Sequence, residues 1–277
     1  MTINCNGKIV DFSTPKVMGI ININEDSFYA SSRLKNIEEI VYKAEAMMNE
    51  GAFAIDIGAM SSRPGAYLIE PEKEWKLIKD VIDAIIKIKG IIISVDTVWS
   101  STANEAIKAG VHIINDISAG NIDSKMFEIL SENTKVAYIM MHMRGIPETM
   151  NEDTYYTNIV LELLEFFSKK MGKAKEYKIK EIIIDPGFGF SKIGNQNFLL
   201  IDKLEMFKIF ECPILCGLSR KSMLYKTLGI SSEEALNATT VVNTMALMNG
   251  CNILRVHDVK PAIEAVKLYT KTINSSS

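Results

Sequence analysis

Asp96, Asn115 and Asp185 each follow a short apolar run: Ile91 to Val95, Val111 to Ile114 and Ile182 to Ile184. Carboxylate and amide acceptors converging on one place suit a flat, donor-rich heterocycle that bears an amino group. A second set has the opposite character. Asn22, Arg63, Arg255 and His257 combine an amide with cations, and Arg forks match phosphate oxygens, so a phosphorylated group is the natural occupant. The run Ser219-Arg220-Lys221-Ser222 opens a predicted helix, whose unpaired amides and dipole favour a further anion. A heterocycle, a phosphate ester and a second anion together suggest transfer between two small molecules. Any one of these residues alone reads as a cap or a loop side chain. Eight strand ends carrying such groups in register do not.

Holding them in one bowl requires a frame that delivers eight strand ends to the same side. Asn6-Gly7 supplies the positive φ angles of a type I′ turn, so residues 3–14 are expected to form a hairpin. From Val17 the pattern becomes an apolar run of strand length followed by a helical stripe at Ile37, Ile40, Val41, Ala44, Met47 and Met48, closed by Gly51. The alternation then recurs. Strands are expected at 54–57, 91–95, 111–114, 136–141, 182–184, 213–216 and 253–256. Helices are expected near 75–86, 100–109, 124–131, 154–177, 196–209, 220–228, 233–248 and 260–273. Eight strand–helix units with doubly apolar strands predict an α/β fold, a (β/α)8 TIM barrel with a short N-terminal β-hairpin, as a single domain over 1–277. A doubly wound open sheet is the structural alternative. In a barrel, binding and catalytic groups project from the carboxyl ends of the strands.

Composition narrows the partners. Lys and Arg number 31 against 34 Asp and Glu, for a net charge of −3, which argues against a nucleic-acid surface. Only five of the 31 cations are Arg (33, 63, 144, 220 and 255), and four of those follow predicted strands. The four Cys (5, 212, 216 and 251) show no zinc spacing and are expected to be reduced and partly buried. No signal peptide and no apolar stretch near the ~20 residues of a membrane span are present, so a cytoplasmic protein without membrane contact is expected. His112 is expected to be a packing or surface residue, and His142 to shape its loop. The stripe Ala238, Val241, Val242, Met245, Ala246 and Met248 is a candidate face for a homodimer.

The strand-end motifs resemble those of dihydropteroate synthases. The likeness runs from Met18-Gly19-Ile20-Ile21-Asn22 to Arg255-Val256-His257-Asp258-Val259. It includes Ser61-Ser62-Arg63-Pro64-Gly65-Ala66, Val95-Asp96-Thr97, Asn115-Asp116-Ile117-Ser118, Met141-His142-Met143-Arg144-Gly145, Asp185-Pro186-Gly187-Phe188-Gly189-Phe190 and Gly217-Leu218-Ser219-Arg220-Lys221-Ser222. The resemblance implies condensation of a 6-hydroxymethyl-dihydropterin pyrophosphate with p-aminobenzoate, with Mg²⁺, giving 7,8-dihydropteroate and pyrophosphate. It assigns the pterin to Asp96, Asn115 and Asp185, with Lys221 and Arg255 against the ring. It assigns pyrophosphate and metal to Asn22, Arg63, Arg255 and His257, with Asn22 the metal ligand and Asp26 a further catalytic group. The aminobenzoate falls to Pro64, Phe190 and Ser222, and Phe28 and Ser62 complete the substrate-binding set. A homodimer is also implied, as is a place among the family's sulfonamide targets. No protein nucleophile is needed, and no Ser–His or Cys–His pair is expected among the strand-end groups.

The sequence leaves the family pattern in its first loop, Asn22-Ile23-Asn24-Glu25-Asp26-Ser27-Phe28-Tyr29-Ala30. There Asn24 and Glu25 replace Thr and Pro, and Ala30 replaces a second Asp. In the second loop Ala59-Met60 replaces Gly-Glu, and Ser62 replaces Thr. An altered affinity for the aminobenzoate is therefore expected. Two other readings share the acceptor pocket: a pterin-binding methyltransferase, and a non-catalytic pterin-binding paralogue.

Overall fold

The computed structural model describes residues 1–23, 33–59 and 67–275, with the side chains of 33–35 excepted. β1 (Thr2–Cys5) and β2 (Lys8–Asp11) form the expected hairpin, turning at Asn6 (φ 50°) and Gly7 (φ 90°). Eight parallel strands follow: β3 (Lys16–Asn22), β4 (Ala54–Gly58), β5 (Ile93–Asp96), β6 (Ile113–Asp116), β7 (Ala137–Met141), β8 (Ile182–Asp185), β9 (Leu215–Cys216) and β10 (Ile253–Val256). Their order is β8-β7-β6-β5-β4-β3-β10-β9. A parallel bridge between Ile184 and Ile214, with Ile184 N donating to Pro213 O at 3.0 Å, joins the last strand to the first and closes the barrel.

Each strand is apolar on both faces because each face meets a different core. Inward residues Met18, Ala54, Ile113, Ile139, Ile183 and Ile253 pack with Ile3, Cys5, Val10 and Phe12 of the hairpin. Outward residues pack under α1 (Arg33–Glu50), α2 (Pro71–Ile85), α3 (Ser100–Lys108), α4 (Met126–Glu132), α5 (Ile159–Glu176), α6 (Asn195–Asp202), α7 (Ser222–Leu228), α8 (Leu236–Met248) and α9 (Val259–Asn274). The hairpin plugs the end of the barrel where the strands begin. Asn6 N donates to Lys135 O at 2.7 Å, Asn6 Nδ2 to Val111 O at 3.0 Å, and Asn4 N to Glu181 Oε2 at 2.7 Å.

Three helix boundaries differ from expectation, two of them for a reason in the side chains. α5 starts at Ile159 rather than near 154, because Arg144 holds Asp153, the Tyr155 carbonyl and Glu162, wrapping that segment around its guanidinium. Asn158 then caps the helix, its side chain accepting from Leu161 N at 3.2 Å. α8 starts at Leu236 rather than near 233, because Arg220 takes the carbonyls of Ser232 and Glu233. The helix expected at 196–209 ends at Asp202 and continues as a 3₁₀ turn over Leu204–Phe210.

His112 is a packing residue. Its Nδ1 accepts from Ile93 N at 3.1 Å, and burial, aided by the charge of Lys8, pulls its pKa down to about 4. All four Cys are buried and free, and burial pushes the Cys5 and Cys212 thiols up to about 12. On α8, Ala238, Val242 and Ala246 face the core, while Val241, Met245 and Met248 are exposed. No helix among the described residues is long and apolar enough to cross a membrane.

Candidate active site

The carboxyl ends of β5, β6, β8 and β10 meet around one pocket, enclosing about 310 Å³ with its mouth included. Asp96, Asn115 and Asp185 line it together with Phe190, Lys221 and Arg255, so the expected acceptor set is assembled. Ile117, Met141 and Phe188 add apolar wall. Beneath the acceptors lies an ionic floor. Arg255 donates through Nε to Asp56 Oδ2 at 2.6 Å and through Nη2 to Asp96 Oδ2 at 2.9 Å, and Asn115 Nδ2 donates to the same Asp56 oxygen at 3.0 Å. Asp56 Oδ1 and Asp96 Oδ1 are buried and have no hydrogen-bond partner among the described residues. A buried carboxylate oxygen without a donor is costly, and a ligand N–H removes that cost.

Charge in the pocket is tuned by exclusion of water. Burial pushes the Asp96 carboxyl up to about 7 against the pull of Arg255, with Asp56 adding repulsion. Burial also raises Asp185, which is held by Gly187 N at 2.7 Å. Lys221 comes down to about 8 through burial, opposed by Asp185, and its Nζ lies 4.1 Å from the centre of the Phe190 ring. Burial lowers Arg255 as well, but Asp56 and Asp96 outweigh it and hold the guanidinium charged.

The cation set is divided. Asn22 ends β3 with an exposed side chain. His257, just past β10, lines a second and more open bowl with Lys43, Glu50 and Lys260. The residue as a whole is exposed, yet desolvation, with the charge of Arg255, pulls its pKa down to about 4. Arg255 itself sits with the acceptors, two of its nitrogens spent on carboxylates. Asp26, Phe28, Ser62, Arg63 and Pro64, with the altered first loop, lie outside the described residues, as does the side chain of Arg33.

The residues after β9 splay three ways. Ser219 Oγ and His257 Nδ1 are 3.0 Å apart, a Ser–His contact that the sequence did not announce. It is not an activated nucleophile: the hydroxyl is buried, it also accepts from His257 N at 3.2 Å, and an imidazole with a pKa near 4 is a weak base. Arg220 forks onto Asp258 at 2.9 and 3.2 Å and braces the approach to α8, a structural task. Lys221 lines the pocket, and Ser222 begins α7.

Some contributors were not among the expected site residues. Asp56 was visible as an acid inside an otherwise apolar strand, but its pairing with Arg255 was not. Lys192 and Glu74, buried behind the pocket, gave no sequence signal. His142 shapes its loop as expected, its ring packed edge-on against Phe166 at 4.7 Å.

Comparison with known proteins matches this geometry. The family model described as "Pterin binding enzyme" covers residues 18–257. The dihydropteroate synthase of Escherichia coli K12 is 35% identical over 277 residues, covering 99% of this chain and 98% of that protein. A crystal structure of the Yersinia pestis dihydropteroate synthase in a sulfonamide drug complex superposes with a TM-score of 0.92 at 32% identity, covering 99% of this chain and all of that one. The Xanthomonas albilineans enzyme with 4-aminobenzoic acid superposes with a TM-score of 0.89 at 29% identity, over 98% of this chain and 97% of that one. With this fold, these strand-end groups and these relatives, the chain belongs to the dihydropteroate synthase family of pterin-binding enzymes.

Proposed function

We propose that the protein joins 6-hydroxymethyl-7,8-dihydropterin pyrophosphate to p-aminobenzoate, forming 7,8-dihydropteroate and pyrophosphate in the folate pathway of the cytoplasm. The observation that carries this reading is the floor of the pocket. Two buried carboxylates grip one guanidinium, and Asp96, which lines the pocket, keeps an oxygen without a partner among the described residues, a match for the amino or ring N–H donors of a pterin. Asp185 and Asn115 complete the acceptor ring, and Lys221 closes it on the side of Phe190.

The C–O bond to pyrophosphate breaks with its electron pair leaving on oxygen, the arylamine lone pair forms the new C–N bond, and the nitrogen then releases one proton to water or to the departing pyrophosphate. The work of the protein is to hold the methylene carbon between the two partners and to offer positive charge where the leaving group departs. Arg255 supplies the described part of that charge, the neutral His257 from the same strand end offers hydrogen bonding beside it, and Arg63 is assigned by resemblance to the remainder, with Asp26 a further catalytic group. Asn22 offers a hard oxygen donor at an open strand end, which fits Mg²⁺, an ion that takes few protein ligands beside phosphate and water. When bound there, Mg²⁺ supplies neutralisation of the pyrophosphate charge. The amine substrate is assigned to Phe190, Ser222 and Pro64, and the exposed Val241, Met245 and Met248 of α8 to a homodimer contact.

The test is pyrophosphate release from the pterin pyrophosphate, with and without p-aminobenzoate. Release that requires the amine is expected. Ligand binding without any release would identify a non-catalytic pterin-binding protein instead.

A further inference from the structure

Behind the pocket wall, Lys192 is buried at 3% exposure and belongs to none of the groups assigned above. Its Nζ meets three carbonyls, Phe190 O at 2.9 Å, Gly187 O at 3.0 Å and His142 O at 3.2 Å, and lies 2.9 Å from His142 Nδ1. An ammonium has three N–H donors and an amine two, so three carbonyls around one nitrogen favour the cation. Burial pulls the Lys192 pKa well down, and the carboxylate of Asp185 opposes it. Burial also keeps the His142 ring well below its ordinary range. The ring is therefore neutral, with Nδ1 accepting and the proton on Nε2.

These acceptors belong to two segments, the loop after β7 (His142) and the loop after β8 (Gly187 and Phe190). Ser191 ties the same pair again: Arg144 N donates to its Oγ at 2.9 Å, and that hydroxyl donates to Arg144 O at 2.8 Å. The β8 loop carries Asp185 at its start and Phe190 near its end, both lining the pocket. Phe190 in turn faces the Lys221 ammonium. Without the clasp, three carbonyls would be left in a dry interior, and the loop would reach other partners only by moving.

We propose that Lys192 is a positioning residue: its side-chain nitrogen clasps the loop after β8 onto the loop after β7 and so fixes the Phe190 wall of the pocket. Asp96, Asn115 and Arg255 arrive on other strands and do not depend on this clasp. Loss of the clasp therefore acts on the substrate lying against Phe190 more than on the one held by the acceptors. This rests on the assignment above of the amine to that wall.

The test uses Lys192→Met, which keeps the length and loses the donors, and Ser191→Ala, which cuts only the second tie. In full-length Lys192→Met the KM for p-aminobenzoate is expected to rise about tenfold and that for the pterin pyrophosphate less than about threefold, with amide exchange accelerated across 142–145 and 186–191. Ser191→Ala is expected to move the same quantities by about two- to threefold, and it decides the matter if Lys192→Met does not fold. Equal rises in both KM values, or unchanged exchange in the two loops, would overturn the proposal. If the wild type shows no amine-dependent release, the functional reading falls, and amide exchange alone then decides whether the clasp exists.

Discussion

Replacing Asp56 by Asn isolates one charge in the pocket floor while keeping its shape. The oxygen that accepts from Arg255 Nε and Asn115 Nδ2 is retained, so both hydrogen bonds survive. What disappears is the repulsion between two carboxylates held by one guanidinium. Such groups sit roughly 5 Å apart, where like charges repel by about 3 kcal/mol at an effective dielectric near ~20. At 1.36 kcal/mol per unit that is an upper bound of about two pH units on Asp96. In the wild type the Asp96 carboxyl, at about 7, becomes the stronger, acceptor-only partner of a heterocycle when it loses its proton, so kcat/KM for the pterin substrate is expected to fall as pH drops through 7. In Asp56→Asn this acid limb is expected to move down by at least about one unit. Both proteins are assayed by amine-dependent pyrophosphate release between pH 5 and 9 at low pterin concentration, so the titration of the substrate itself cancels in the comparison. The substitution also costs about 2–3 kcal/mol of stability, because Arg255 loses a buried counter-charge and an amide N–H replaces the orphan oxygen. An acid limb that stays in place or moves up would refute the reasoning.

Two further outcomes follow from the same structure. Glu74 is fully buried with one oxygen bonded to Thr97 Oγ1 at 2.6 Å and the other without a partner among the described residues, and burial lifts its pKa to about 7. An unfolded chain releases this proton near 4.5 and the folded one near 7, so the group lowers stability progressively as pH rises through that window. Glu74→Gln is expected to be about 1–3 kcal/mol more stable than wild type at pH 8 and close to it at pH 4.5, measured by urea unfolding; an equal difference at both pH values would count against the assignment. Gly187, at φ 72°, has no room for a side chain, since a Cβ would press into the His142 carbonyl. Gly187→Ala is expected to cost about 3 kcal/mol or more and to depress turnover, whereas unchanged melting and rate would mean that the two loops yield easily.

The frame was legible in the sequence because local patterns specify it. Short apolar runs alternating with helical stripes count out eight units, and the polar or charged group ending each run marks the carboxyl end. Asn6-Gly7 announced the hairpin by the backbone angles it tolerates. Pairings between distant strands were not legible. Asp56 and Arg255 are 199 residues apart, and although the resemblance put Arg255 against the pterin, nothing in either neighbourhood says that the guanidinium pairs with Asp56. The same holds for Ser219 with His257, and for Arg144, whose charge is absorbed by Asp153 and Glu162. Helix starts were misjudged where an arginine captures backbone carbonyls, an interaction that periodicity does not register. Lys192 was hidden because a lysine in a loop looks like any solvated cation until its acceptors are seen.

The hairpin has a consequence for how the barrel is assembled. It precedes every partner it holds: Lys8 bonds to Ile91, Asn6 to Val111 and Asn4 to Glu181, separations of 83, 105 and 177 residues. Closing loops of that size is entropically slow and is rewarded only once the distant strands are in place. The plug therefore docks late, and until it does the inner ends of Met18, Ala54 and Ile253 face water. A chain stalled at that stage would carry finished strand ends on one rim and an unsealed apolar throat on the other. The hairpin is thus the seal of that apolar throat, and a chain lacking it would present an exposed apolar surface of the kind that promotes aggregation.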